Sequence, residues 1–120
     1  SFLEIGMSNS IGFAALEAGI SLHLHLGISE TRAYIQSLHD KLEDGLLSIG
    51  YKSVRQKDKS SRSSILSMLP PKGLSTRDVA GEFAKKKIAI STPDGHLRFA
   101  PSWPTSTKEV EYVVDAARSF

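Results

Sequence analysis

Apolar side chains follow two different periods along this chain, and the change of period marks out its elements. Between 11 and 26 they fall almost everywhere. Ile11, Ala15, Ala18 and Leu22 share one stripe, while Phe13, Leu16, Ile20 and Leu24 spread around the rest, and Glu17 is the only formally charged residue. This predicts a helix buried on several sides, held by packing because Gly12 and Gly19 weaken its propensity. From Ser29 to Gly50, Tyr34, Ile35, Leu38, Leu42, Leu46 and Ile49 recur at helical spacing. They predict a second helix that Ser29 caps, with Gly45 as a weak point inside it. Glu30, Arg32, Asp40, Lys41, Glu43 and Asp44 fall on its other side, which reads as a solvated face.

The period then shortens. Residues 51–56 and 63–69 read as strands, the second stopped by Pro70 and Pro71, with a loop at 57–62 that is mobile by composition. Ser75 caps a third helix with Val79 and Phe83 paired at i,i+4 and Gly81 as its weak point. Residues 88–91 read as a third strand, and Pro93-Asp94-Gly95 turns it into a fourth at 97–100. Ser106 and Glu109 have capping-box spacing before a last helix carrying Val110, Val113, Val114 and Ala117. From residue 29 the order is α-β-β-α-β-β-α. It predicts an α+β fold, a two-layer sandwich with helices on one face of a mainly antiparallel four-stranded sheet.

Composition narrows the chemistry. The 120 residues suffice for one modest core, and 40% hydrophobic with 23% charged residues is ordinary for a globular chain. No apolar run approaches a membrane span, and the start lacks a basic leader region. The absence of cysteine removes disulfides, thiolate metal sites and cysteine nucleophiles; it suits a reducing compartment, and a cytoplasmic location is expected. Net charge is +2. The basic runs at 57–62 and 85–87 have no interleaved aromatics, so they read as solvated rather than as a nucleic-acid surface. His23 and His25 are two apart, His39 and His96 are isolated, and no metal-ligand spacing appears, so no metal is expected. Nucleotide loops and nucleophile elbows are likewise absent.

One residue stands against its surroundings. Arg98 sits between Leu97 and Phe99 on an apolar strand. Two readings are open for it: an ion pair with a nearby acid, or a planar fork offered to a carboxylate ligand. Trp103, in the loop that follows, either walls a pocket or plugs a core or domain junction.

The stretch around Arg98 resembles the end of the class V aminotransferases. These are pyridoxal-phosphate enzymes of fold type I that include isopenicillin N epimerase, kynureninase and cysteine desulfurases. Leu97, Arg98, Phe99, Pro101, Glu109 and Val110 fit the family's pattern, whereas Ala100, Ser102, Pro104 and Thr105 replace its Ser, His, Tyr and Asn. Near the start, Glu4, Gly6 and Asn9 fit a "Glu-x-Gly-Thr-x-Asn" turn, with Met7 at the threonine.

The resemblance implies the following. Residues 1–26 are the tail of the large cofactor domain, 27–50 the linking helix and 51–120 the small C-terminal domain. Arg98 binds the carboxylate of an amino-acid substrate. Gly6 and Met7 contribute backbone donors to the phosphate of pyridoxal phosphate. The partners are an N-terminal large domain and a second copy in a homodimer. The Schiff-base lysine and its aspartate precede the Gly6 turn in the family, so neither is expected here. Lys52 and Lys72 are poor substitutes, no catalytic residue is assigned, and the chain alone is expected to be inactive. Without a cysteine, the epimerase, kynureninase and aminotransferase branches fit better than the desulfurases. The alternative is a free-standing α+β interaction module without catalysis.

Overall fold

The structure, a computed structural model, describes residues 8–120. Its contacts separate a unit that ends at Thr31 from a unit spanning Arg32–Phe120.

In the first unit, α1 (Ser10–Leu26) starts where the Asn9 side chain accepts a hydrogen bond from the Gly12 N–H at 2.9 Å. It stops at Gly27, whose φ of +86° only glycine adopts without strain. None of its residues is buried: Ile11 is 85% exposed, Leu24 65% and Phe13 63%. Residue-by-residue apolarity therefore produces the expected helix, and its apolar surface is open in this chain. The next helix, α2 (Ile28–Leu47), begins one residue before Ser29, so Ser29 lies inside it and is no cap. The Gly27 carbonyl instead accepts from the N–H and hydroxyl of Thr31, which anchors the first turn.

In the second unit, the inward face of α2 is Leu38, Leu42 and Leu46, all buried as their spacing predicts. Three strands follow, β1 (Lys52–Ser53), β2 (Leu66–Leu69) and β3 (Leu97–Phe99), paired antiparallel in the order β1-β2-β3. Lys52 pairs with Leu69, Leu66 with Phe99, Ser67 with Arg98 and Met68 with Leu97. Two more helices, α3 (Thr76–Lys85) and α4 (Thr107–Arg118), complete the second layer. Leu66, Met68, Leu97 and Phe99 point from the sheet into one core with Leu38, Leu42, Leu46, Val79, Phe83, Val110 and Val114. Phe83 meets Phe99 and Phe120 edge-on, with ring centroids 5.8 and 4.8 Å apart. Each such buried side chain contributes roughly 1.5–3 kcal/mol.

The fold is thus α+β, but its sheet has three strands and not four. Residues 88–91 do not form a strand; only Ser91 bridges to Arg98, whose N–H donates to the Ser91 carbonyl at 2.8 Å. Ile88 and Ile90 still pack on the core, so the alternation marks burial correctly. The segment leaves α3 through a tight turn, with Lys87 at φ 59° and the Ile88 N–H bonded to the Phe83 carbonyl at 3.0 Å, and only its last residue reaches β3 in register. The strands expected at 51–56 and 63–69 are likewise shorter, two and four residues.

Two local expectations change. Gly45 is a close-approach residue: a Cβ there would lie 2.6 Å from Cγ2 of Val114, so the glycine lets α2 and α4 touch. The 57–62 loop is tied down: Asp58 caps a short 3-10 turn at Lys59–Ser61, and the Arg62 Nε donates to the Gln56 carbonyl at 2.8 Å.

Candidate functional site

Strand alternation decides where Arg98 goes. Its neighbours Leu97 and Phe99 are buried, so Arg98 lies on the opposite, outward face of the sheet and is exposed. Directly across from it stand Ser67 on one side and Ser91 on the other, two short side chains that leave room around a guanidinium. Among the described residues, Arg98 takes part in none of the ion pairs and side-chain hydrogen bonds.

Both flanking segments hold the strand in place. Before it, the turn Pro93–Gly95 carries Asp94 at φ 51°, and the Thr76 hydroxyl at the start of α3 donates to the Gly95 carbonyl at 2.7 Å. After it, the Tyr34 hydroxyl of α2 donates to the Thr105 carbonyl at 2.6 Å, and Ser102 N–H donates to the Thr105 hydroxyl at 3.2 Å. The Ser106–Glu109 capping box then forms as its spacing predicts, and the Ser106 N–H holds the Glu109 carboxyl below the usual carboxylate range. Trp103 is 39% exposed and lies outside the core cluster.

A second charged constellation was invisible in the sequence. Arg55 is folded inward, with only 3% of its side chain exposed. Its guanidinium donates to Asp40 at 2.5 Å, to Glu43 at 2.7 Å and to the Gln36 side-chain Oε1 at 2.6 Å. Part of the face read as solvated is therefore a clamp between α2 and the chain after β1. Burial pushes the Glu43 carboxyl up, but hydrogen bonds from Ser53 and Arg55 and the Arg55 charge outweigh it and leave it below its ordinary value. Next to the clamp, His39 is fully buried with neither ring nitrogen partnered. Burial, aided by the Arg55 charge and opposed by Asp40 and Glu43, lowers its pKa from 6.5 to about 4. Among the described residues, none of these groups forms an ion pair or side-chain hydrogen bond with Arg98. The signal that could have found Arg55 was its spacing of two from Ser53 and four from Tyr51, which puts all three on one side of the extended chain.

The two positions expected at the cofactor phosphate, Gly6 and Met7, lie outside the described residues. Among the described residues no lysine is buried, and no group of His, Cys, Asp and Glu could hold a metal ion. The described residues therefore do not by themselves build a seat for pyridoxal phosphate. Among them, no single helix is long and apolar enough to cross a membrane.

Residues 1–113 match the family model "Aminotransferase class-V", and the chain belongs to that family. A solved NifS-like protein superposes with a TM-score of 0.82 at 18% identity, over 96% of this chain and 34% of the other. A cystine C-S lyase, C-DES, solved with its reaction product cysteine persulfide, superposes with a TM-score of 0.82 at 18% identity, over 98% of this chain and 31% of the other. At such identity the likeness is one of fold. This chain spans about a third of the length of those solved chains. No curated protein sequence matches it.

Proposed function

We propose that this chain is the C-terminal part of a pyridoxal-phosphate-dependent, class V aminotransferase-like enzyme acting on an amino acid, and that Arg98 binds the substrate carboxylate. The observation that carries this reading is the guanidinium of Arg98, exposed on the outer sheet face with no acid paired to it among the described residues. Pyridoxal phosphate, when bound by the intact enzyme, would supply the electron sink for chemistry at the amino-acid α-carbon. This chain's part is to bind and orient: a planar fork accepts a carboxylate bidentately and fixes its rotation. An N-terminal large domain and a second copy of the enzyme are the proposed partners. The open apolar surface of α1, with Ile11 and Leu24 largely exposed, supports a missing partner and argues against a free-standing module. The cytoplasm is the proposed location.

The test compares kcat/KM for an amino acid and for the matching amine without its carboxylate, in the intact enzyme and in Arg98→Ala and Arg98→Lys. Losing one partner of a desolvated charge pair costs about 2–5 kcal/mol, roughly thirty-fold to several-thousand-fold in rate. That loss is expected for the amino acid in both variants, with little change for the amine and with cofactor content unaltered. Equal losses for both substrates in a folded enzyme would make Arg98 a structural residue.

A further inference from the structure

The outward face of the sheet carries a cavity beside Arg98. Arg98 turns its backbone N–H to the Ser91 carbonyl, and Ser67 turns its carbonyl to the Val54 N–H. Arg98 and Ser67 are direct partners across β3 and β2, so they face each other in a pair without backbone bonds between them. In such pairs the side chains stand closest, with Cα atoms about 4.5 Å apart. Ser67 also lines a cavity of about 200 Å³, together with Val54, Ile65, Ser63, Arg55 and Arg62. Val54, Ile65 and Ser67 share the outward face by alternation, so the cavity opens on the same side of the sheet as Arg98.

No carboxylate lines this cavity. The Ser67 hydroxyl has no partner among the side-chain hydrogen bonds of the described residues. The Ser63 hydroxyl accepts from the Ile65 N–H at 3.2 Å and keeps its own proton to donate. Arg55 is committed to Asp40, Glu43 and Gln36. Arg62 is less fully engaged: its Nε donates to the Gln56 carbonyl at 2.8 Å, but its Nη1 lies 3.8 Å from Asp40, a carboxylate that Arg55 already holds at 2.5 Å. Two hydroxyls and a loosely paired guanidinium suit a ligand group that is negative and accepts hydrogen bonds. An ammonium would be repelled, and an alkyl group would strip water from these donors and offer nothing in its place.

We propose that this cavity is the subsite for the substrate's side chain and takes a short one ending in a carboxylate, so that the amino acid held at Arg98 is a dicarboxylic one. The cavity begins one strand away from Arg98, roughly 4.8 Å, a reach that a short side chain covers. Ser67 and Ser63 donate to the second carboxylate, and Arg62 supplies its counter-charge. The proposal rests on the reading of Arg98 as the residue that binds the first carboxylate.

The experiment measures, in the intact enzyme with its cofactor, the concentration of each amino acid that half-saturates the change in cofactor absorbance. Aspartate and glutamate are compared with asparagine, glutamine and norvaline. The better of the two acids is expected to half-saturate roughly ten-fold or more below its own amide and below norvaline. Ser67→Ala and Arg62→Gln should each raise the value for that acid about five-fold or more and leave norvaline unchanged. Arg62 also ties down its own loop, so Ser67→Ala, which breaks no hydrogen bond among the described residues, must show the loss by itself. Equal values for acid, amide and norvaline in the unmodified enzyme overturn the proposal. So does an acid preference that survives intact in Ser67→Ala, or a loss in that variant as large for norvaline as for the acid, which would make the serine structural. Arg98→Ala separates the two readings. If it weakens every amino acid while the unmodified enzyme shows no acid preference, only this proposal falls; if it weakens none, the reading of Arg98 falls and takes this proposal with it.

Discussion

His39 offers the sharpest test of the packing described above. Its imidazole is fully buried, and Nδ1 and Nε2 both lack a hydrogen-bond partner. Folded, the ring stays neutral until about pH 4; unfolded, it titrates near 6.5. Between those values the unfolded chain binds the extra proton. Stability is therefore complete above about pH 6.5 and falls as the pH drops towards 4. Lowering the pH from 7 to 5 should cost about 2 kcal/mol through this one group, in a range where carboxylates near their ordinary values stay ionised. His39→Leu removes the titration and also removes a buried polar ring that satisfies none of its hydrogen bonds. The variant should be as stable as the parent at pH 7, or more stable by about 1 kcal/mol. It should also lose most of the slope between pH 7 and pH 5. Urea unfolding followed by circular dichroism at both pH values measures the difference directly. Parallel pH dependences for parent and variant would show that His39 is hydrated or hydrogen-bonded in solution, and would refute the burial argument.

Three further outcomes are expected. Gly45→Ala gains helix propensity but drives a methyl against Val114, so a net loss of about 1–2 kcal/mol is expected, recovered in Gly45→Ala/Val114→Ala and read from urea midpoints. Arg55→Met strands the half-buried Glu43, while the exposed Asp40 returns to water cheaply; a loss of about 2–3 kcal/mol is expected, largely restored by adding Glu43→Leu. Pyridoxal phosphate mixed with this chain alone should leave no borohydride-trappable adduct on a single lysine after dialysis, since no described lysine is buried; a stoichiometric adduct seen by mass spectrometry would contradict this.

Much of the second unit could be read in advance because its information is local. The Val79–Phe83 and Val110–Val114–Ala117 spacings, and the Ser75 and Ser106 caps, each act within one or two turns of chain. The strand that carries Arg98 was marked by Leu97 and Phe99 on either side of it. What escaped was information held between distant segments. Ile88 and Ile90 alternate like a strand because they are half-buried, yet among the described residues only the Ser91–Arg98 bridge forms between their segment and β3. Asp40 and Glu43 look solvated on a helical wheel, and only the return of the chain after β1 brings Arg55 beneath them. Gly45 reads as a weakness until Val114 is placed against it, sixty-nine positions later.

The brevity of β1 bears on how this unit behaves at high concentration. That edge of the sheet is two residues long and carries Lys52, whose ammonium must lose its hydration wherever another strand is added. The far edge, beyond β3, is the one with unpaired backbone at Ala89 and Ile90. A fibril needs two complementary open edges, one to accept a neighbour and one to offer itself to the next. With one edge so protected, repeated edge-to-edge addition through this sheet lacks its second contact.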